Sequence, residues 1–198
     1  MQVGEQMLYV KNISYMFSHV FFMAFIYVFL VHRYSRKKTL GICFLSCFAM
    51  NLPDYFKLNI FTDNPLFYFC TTIIQIAIAQ LTGLFISRTR NAKTLFIGLS
   101  ASNYVVVGSI TASILYIFTG SVNIALAGNL LMHLAILLIL YRKIGDIFRR
   151  FLERELKTSW WGLCLIPVFF FCCFSCLAFF PYTLYEHPEN ILVSIFLI

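Results

Sequence analysis

The chain has 198 residues, of which 61% are hydrophobic and 12% charged, with a mean hydropathy of +0.84. Soluble domains carry about 25% charged residues, so this composition excludes a water-soluble globular protein and leaves room for one helical bundle with no separate soluble domain. The formal charge of +7 does not point to nucleic acid, because 13 of the 15 Lys and Arg fall in three short clusters between apolar runs.

Ile13 to Val31 is 19 residues without a formal charge, enough to cross a hydrocarbon core about 30 Å thick at about 1.5 Å per residue. This predicts a first span over 13–31, ending at the basic cluster Arg33, Arg36, Lys37 and Lys38. Glu5 and Lys11 precede it where a signal peptide would carry a basic cluster, so it reads as a retained span. Thr39 to Pro53 is only 15 uncharged residues, so a second span must either tilt little or run on through Asp54; it is placed at about 39–58. Leu66 to Ile86 gives a third, followed by Arg88, Arg90 and Lys93. Thr94 to Phe118 and Val122 to Tyr141 are separated by Thr119-Gly120-Ser121, a composition suited to a tight turn between antiparallel helices. Trp160 to Phe180 gives a sixth span, and Pro181 opens the polar segment PYTLYEHPEN. The closing run 191–198 would reach only about 12 Å as a helix, so it is expected to be the start of a seventh span of a longer protein.

The fold expected is therefore all-α: a polytopic membrane helical bundle of six spans plus a truncated seventh. Segments 32–39, 87–93 and 142–158 carry 13 Lys and Arg, while the alternate segments carry 2. The excess of positive charge on cytoplasmic loops sets the N-terminus outside.

The stretch Tyr141 to Trp161 is the only long charged segment. Within it Ile144, Ile147, Phe148, Phe151, Leu152 and Leu156 recur at steps of three and four and share one helical face, predicting an amphipathic helix over 144–157. Asp146 precedes Arg149 and Arg150, and Glu153 precedes Lys157, in the acid-first order that favours helix pairs. Trp160 and Trp161 stand where an interfacial anchor is expected, so the helix lies along the inner surface or continues the sixth span. Its apolar face suits either lipid or a cytoplasmic domain, and we expect it to couple the spans to such a domain.

Polar residues inside spans are costly unless they face protein or water. Gln80, Asn103 and His133 all fall about 10–15 Å from the inner surface and are expected to form one polar layer, held at least by interhelical hydrogen bonds. Small residues at Ala79/Gly83, Gly98/Ser102 and Gly108/Ala112 allow helices to approach closely. On the outer half, His19 and Asp54 are expected to face a cavity opening toward Tyr182, Tyr185, Glu186 and His187, an acidic aromatic rim suited to a small peptide or cationic amphiphile.

Enzyme chemistry finds little support. Gly98-Leu99-Ser100-Ala101 lacks the glycine that follows the serine of a nucleophile elbow. No Cys stands in register with a His as a peptidase dyad requires, and the Cys173-x-x-Cys176 pair has no second pair or His at zinc spacing. No cofactor or metal is expected.

The run FLERELKTSWWGLCLIPVFFF from Phe151, the segment FFPYTLYEHPEN from Phe179 and SNYVVVGS from Ser102 together resemble the membrane input region of bacterial sensor histidine kinases with a GHKL-type ATPase domain, as in peptide-pheromone receptors. The resemblance implies a bacterial cytoplasmic-membrane sensor that is homodimeric in its full-length form. It covers only the input half of such a protein, so no kinase activity is expected of these residues. A small transporter or channel, or a membrane scaffold, is the alternative.

Overall fold

The computed structural model describes residues 3–60, 65–153 and 159–178. Among them the chain is helical throughout, and the only extended pairing is an isolated antiparallel bridge between His32 and Ser87. The helices are α1 (Val3–Phe29), α2 (Arg36–Asn59), α3 (Pro65–Ile86), α4 (Ala92–Thr119), α5 (Val122–Ile139), α6 (Gly145–Glu153) and α7 (Trp160–Ala178). Two helices are long and apolar enough to cross a membrane, 92–119 and 122–148; 13–29, 70–86 and 160–174 are shorter apolar helices.

The ends follow from local chemistry. Asn91 caps α4 by accepting the Lys93 amide at 3.1 Å, and Gly120 ends it in the left-handed region at φ 63°, which costs an L side chain about 1–2 kcal/mol. The turn expected at 119–121 is thus built on one glycine. The second helix runs unbroken through Pro53 and Asp54 to Asn59.

Helix α4 is central, packing against α1, α3, α5 and α7. The main core lies between α1, α2, α3 and α4, with Phe22, Phe25, Ile26, Phe29, Met50, Ile86, Ile97 and Tyr104 buried together. At the end of the bundle that carries Arg33, Arg88 and Arg142, the links after α1 and α3 are joined through their backbones. The Arg33 amide donates to the Ile86 carbonyl at 2.8 Å and the Arg88 amide to that of Val31 at 2.9 Å. Ser87 and Thr94 hydroxyls meet at 2.9 Å beneath this bridge.

The charged helix differs from expectation. Expected along the inner surface or as a continuation of the sixth span, it continues α5 through one π turn, Leu140–Ile144, into α6. A π turn holds an extra residue and so rotates the face that follows it. Phe148 and Phe151 turn into the bundle while Ile144 and Ile147 are exposed. The side chain of Leu152 and all of Leu156 lie outside the described residues, as does the run 191–198.

Gly120→Ala should lower stability by about 1–2 kcal/mol, whereas Gly41→Ala, at an open helical position of α2, should raise it by about 0.5–1 kcal/mol. Thermal unfolding of both variants in detergent micelles checks the pair; equal effects would contradict the assigned backbone conformations.

Candidate functional site

Two polar networks stand on neighbouring faces of α1. The first is ionic. Asp54 is 1% exposed, and its Oδ2 accepts from His19 Nε2 at 2.8 Å while its Oδ1 accepts from Lys57 Nζ at 3.0 Å. Lys57, 4% exposed, also reaches Gln75 Oε1 at 3.5 Å, and Gln75 Nε2 donates to the Met50 carbonyl at 2.8 Å. The network therefore ties α1, α2 and α3 together. Its local logic is simple: Asp54 and Lys57 are three residues apart and so meet on one helical face, and Pro53 just before them leaves α2 intact.

His19 and Asp54, expected to share a cavity, are directly bonded. Tyr182, Tyr185, Glu186 and His187, expected to complete the rim, lie outside the described residues. Lys57 and Gln75 escaped the sequence reading. For Lys57 the available signal is its three-residue spacing from Asp54, which puts both on one helical face.

The second network centres on His133, which is fully buried. Its ring stacks on Phe21 at 4.7 Å, meets Tyr104 edge-on at 4.9 Å, and approaches Ser18 Oγ at 3.3 Å through Nε2. The one Ser18 hydroxyl hydrogen is given to the Ser14 carbonyl at 2.7 Å. His133 Nε2 must then be the N–H donor, which leaves Nδ1 a bare acceptor, and Nδ1 has no protein partner. Tyr104 donates its hydroxyl to the His133 carbonyl at 2.7 Å.

Three stripes of four-residue spacing build this network. Val10, Ser14 and Ser18 run along α1, Ala125, Asn129 and His133 along α5, and Tyr104, Gly108, Ala112 and Tyr116 along α4; every one of these residues is buried. Val10, Tyr116 and Ala125 pack as one layer, and His133 and Asn129 fill the space where Gly108 has no Cβ. Asn129 is fully buried with neither amide atom hydrogen-bonded, and the Ser14 hydroxyl is also unpartnered. These groups supply donors and acceptors of neutral character, fit for water or another small hydrogen-bonding guest.

The three residues expected in one polar layer have separate partners. Gln80 of α3 lies against Gly98. Asn103 donates through Nδ2 to the carbonyl of Pro167 in α7 at 2.9 Å. His133 belongs with Ser18.

An aromatic cluster occupies the basic end. Phe148 of α6 meets Phe29 of α1 at 5.5 Å, Phe96 of α4 at 6.3 Å and Phe151 at 6.4 Å. Trp160, at the start of α7, lies 5.2 Å from Phe151 and 6.0 Å from Phe96, with Lys93 Nζ 5.4 Å from its ring centre. Four helices thus converge on the half of the amphipathic face that turns inward.

Among the described residues no group of three or more His, Cys, Asp or Glu is placed to hold a metal. No protein-family model matches the chain, and no curated protein or solved structure is significantly similar to it.

Lys57→Met alone should destabilise the bundle by about 3–5 kcal/mol, because it strands a buried carboxylate. Asp54→Leu combined with Lys57→Met should cost clearly less than the sum of the two single changes. A double-mutant cycle read by thermal unfolding checks the coupling, and simple additivity would contradict a direct ion pair.

Proposed function

We propose that the chain is a multi-span membrane protein acting as the signal-sensing input region of a two-component-type sensor, with its N-terminus outside and its basic end cytoplasmic. The observation that carries the sensor reading is that α1 holds both a ligand-side and an output-side element. His19 joins the buried Asp54–Lys57 network partway along α1, and Phe29 joins the aromatic cluster around Phe148 and Trp160 at its C-terminal end. A ligand that binds two packings of this network with different affinity shifts the populations of both. A shift or rotation of α1 would then reach α6 through the Phe29–Phe148 contact.

The membrane reading draws on α5. Its buried residues are Ala125, Asn129 and His133, while Leu130, Leu131, Leu134, Leu138 and Ile139 are exposed. A helix that buries its amide and imidazole and exposes its leucines suits a lipid solvent, where apolar surface carries no penalty and polar groups must turn inward. Six crossings and a bacterial cytoplasmic membrane follow from the charge pattern and from the resemblance to GHKL-type sensor kinases. The ligand, a small peptide or cationic amphiphile, would approach the Asp54 network from outside, and the full-length protein would signal as a homodimer.

A small transporter or pore is the second reading, favoured by the unpartnered buried groups of Asn129, His133 and Ser14; it requires solute flux in proteoliposomes.

Asp54→Asn should change the environment of Trp160, seen as a shift in tryptophan emission or iodide quenching of the reconstituted protein, and Trp161→Phe should retain that response. An emission spectrum unaltered by Asp54→Asn in a folded protein would remove the proposed link from His19 to Phe29 along α1.

A further inference from the structure

The backbone bridge between His32 and Ser87 does more than join two links. It brings together two basic segments that are remote in sequence. Arg33, Arg36, Lys37 and Lys38 follow α1; Arg88, Arg90 and Lys93 follow α3. Arg33 and Arg88 each stand one residue beyond the bridge, both are exposed, and their amides make its two hydrogen bonds. Neither 31–48 nor 81–97 contains an Asp or Glu, and the acid with a described side chain at this end, Asp146, is on α6.

An aromatic strip leads away from these cations. Lys38 Nζ lies 4.4 Å and the Arg33 guanidinium 5.6 Å from the centre of the Tyr34 ring. Tyr34 in turn packs on Phe85 at 5.5 Å. Phe85 is 48% exposed, and Leu81, one turn further along the same face of α3, is 64% exposed. The α2–α3 seam beside them is closed where the Thr82 and Ser46 hydroxyls meet at 2.8 Å. Charge, then aromatic ring, then open apolar surface is the order of an anionic amphiphile.

We propose that this junction is a binding site for an anionic phospholipid. Its phosphate is held by Arg33, Lys38 and Arg88, its glycerol region lies at Tyr34, and an acyl chain runs along Phe85 and Leu81. Arginine suits phosphate because its planar fork donates two parallel hydrogen bonds. A free phosphate has no use for the apolar strip, and an acidic polypeptide would leave Phe85 and Leu81 uncovered. The site rests on the membrane reading above. Its role would be to pin the α1–α2 and α3–α4 links to one headgroup, so that the basic end moves as a unit.

The test is native mass spectrometry of the full chain, extracted from membranes in detergent and titrated with dioleoyl phosphatidylglycerol or dioleoyl phosphatidylcholine. Inorganic phosphate and polyglutamate serve as competitors. Phosphatidylglycerol should be retained at least tenfold better than phosphatidylcholine, and neither competitor should displace it at equal concentration. Each cation removed should weaken retention about fivefold, so Arg33→Gln with Arg88→Gln should lose at least tenfold. Arg142→Gln with Lys143→Gln, the same charge change at the same end, should lose less than that. Should the first pair fail to fold, Lys38→Gln with Tyr34→Leu reads the same site without touching the bridge.

Equal losses from the junction and the control pair would overturn the site in favour of general surface charge. Displacement by phosphate or by polyglutamate would overturn the lipid as its occupant. Recovery of the chain outside the membrane fraction would instead overturn the membrane reading itself.

Discussion

Asp54 cannot be buried as a lone carboxylate. Removing an ion from water costs several kcal/mol unless opposite charge and hydrogen bonds meet it in place, and here His19 and Lys57 do so from two helices while Gln75 orients Lys57 from a third. That requirement constrains how α1, α2 and α3 pack. It sets the rotation of α1, because His19 must point at α2, and with that rotation fixed Ser18 must point at His133 on α5. Two polar networks and four helices thus depend on neighbouring residues of a single helix.

Helix α4 completes the arrangement by being small where its neighbours are polar. Gly98 admits Gln80 and Gly108 admits His133 and Asn129, so the polar side chains of α3 and α5 reach the bundle axis without pushing the helices apart. Close approach at small residues takes the place of hydrophobic drive where the surroundings are as apolar as the side chains. At the basic end, large rings replace small residues, and Phe29, Phe96, Phe148, Phe151 and Trp160 gather elements from both ends of the chain. The bundle therefore has a tightly coupled polar half and an aromatic half in which ring packing joins α6 to α1, α4 and α7.

Helix positions were largely legible in the sequence, because uncharged runs bounded by basic clusters and one Gly-centred turn mark helix ends directly. The pairing of His19 with Asp54 was legible as a shared half of the bundle. Lys57 was not, since a lysine close to a predicted span end reads as a loop charge until its three-residue spacing from Asp54 is weighed. The ladder of Ser14, Ser18, Asn129 and His133 was missed for a different reason: small polar residues at four-residue spacing are inconspicuous beside aromatic ones, and only packing shows that the stripes of α1 and α5 meet. The amphipathic face from Ile144 was read with a constant 3.6-residue period. Packing decides within that face: Phe148 and Phe151 meet rings of α1, α4 and α7, while Ile144 and Ile147 are exposed.

The proposed membrane function requires that the bundle be built inside out, with apolar surface facing lipid and the polar networks within. Site-directed spin labelling of the reconstituted chain tests it most directly, by comparing collision with oxygen, which concentrates in lipid, against collision with a water-soluble nickel chelate. Labels at Phe44, Leu131 and Phe169, which are 77%, 64% and 65% exposed, should collide with oxygen and be shielded from the chelate. Strong chelate collision at all three would mean that these side chains face water, and the account of the fold as a membrane bundle would be wrong.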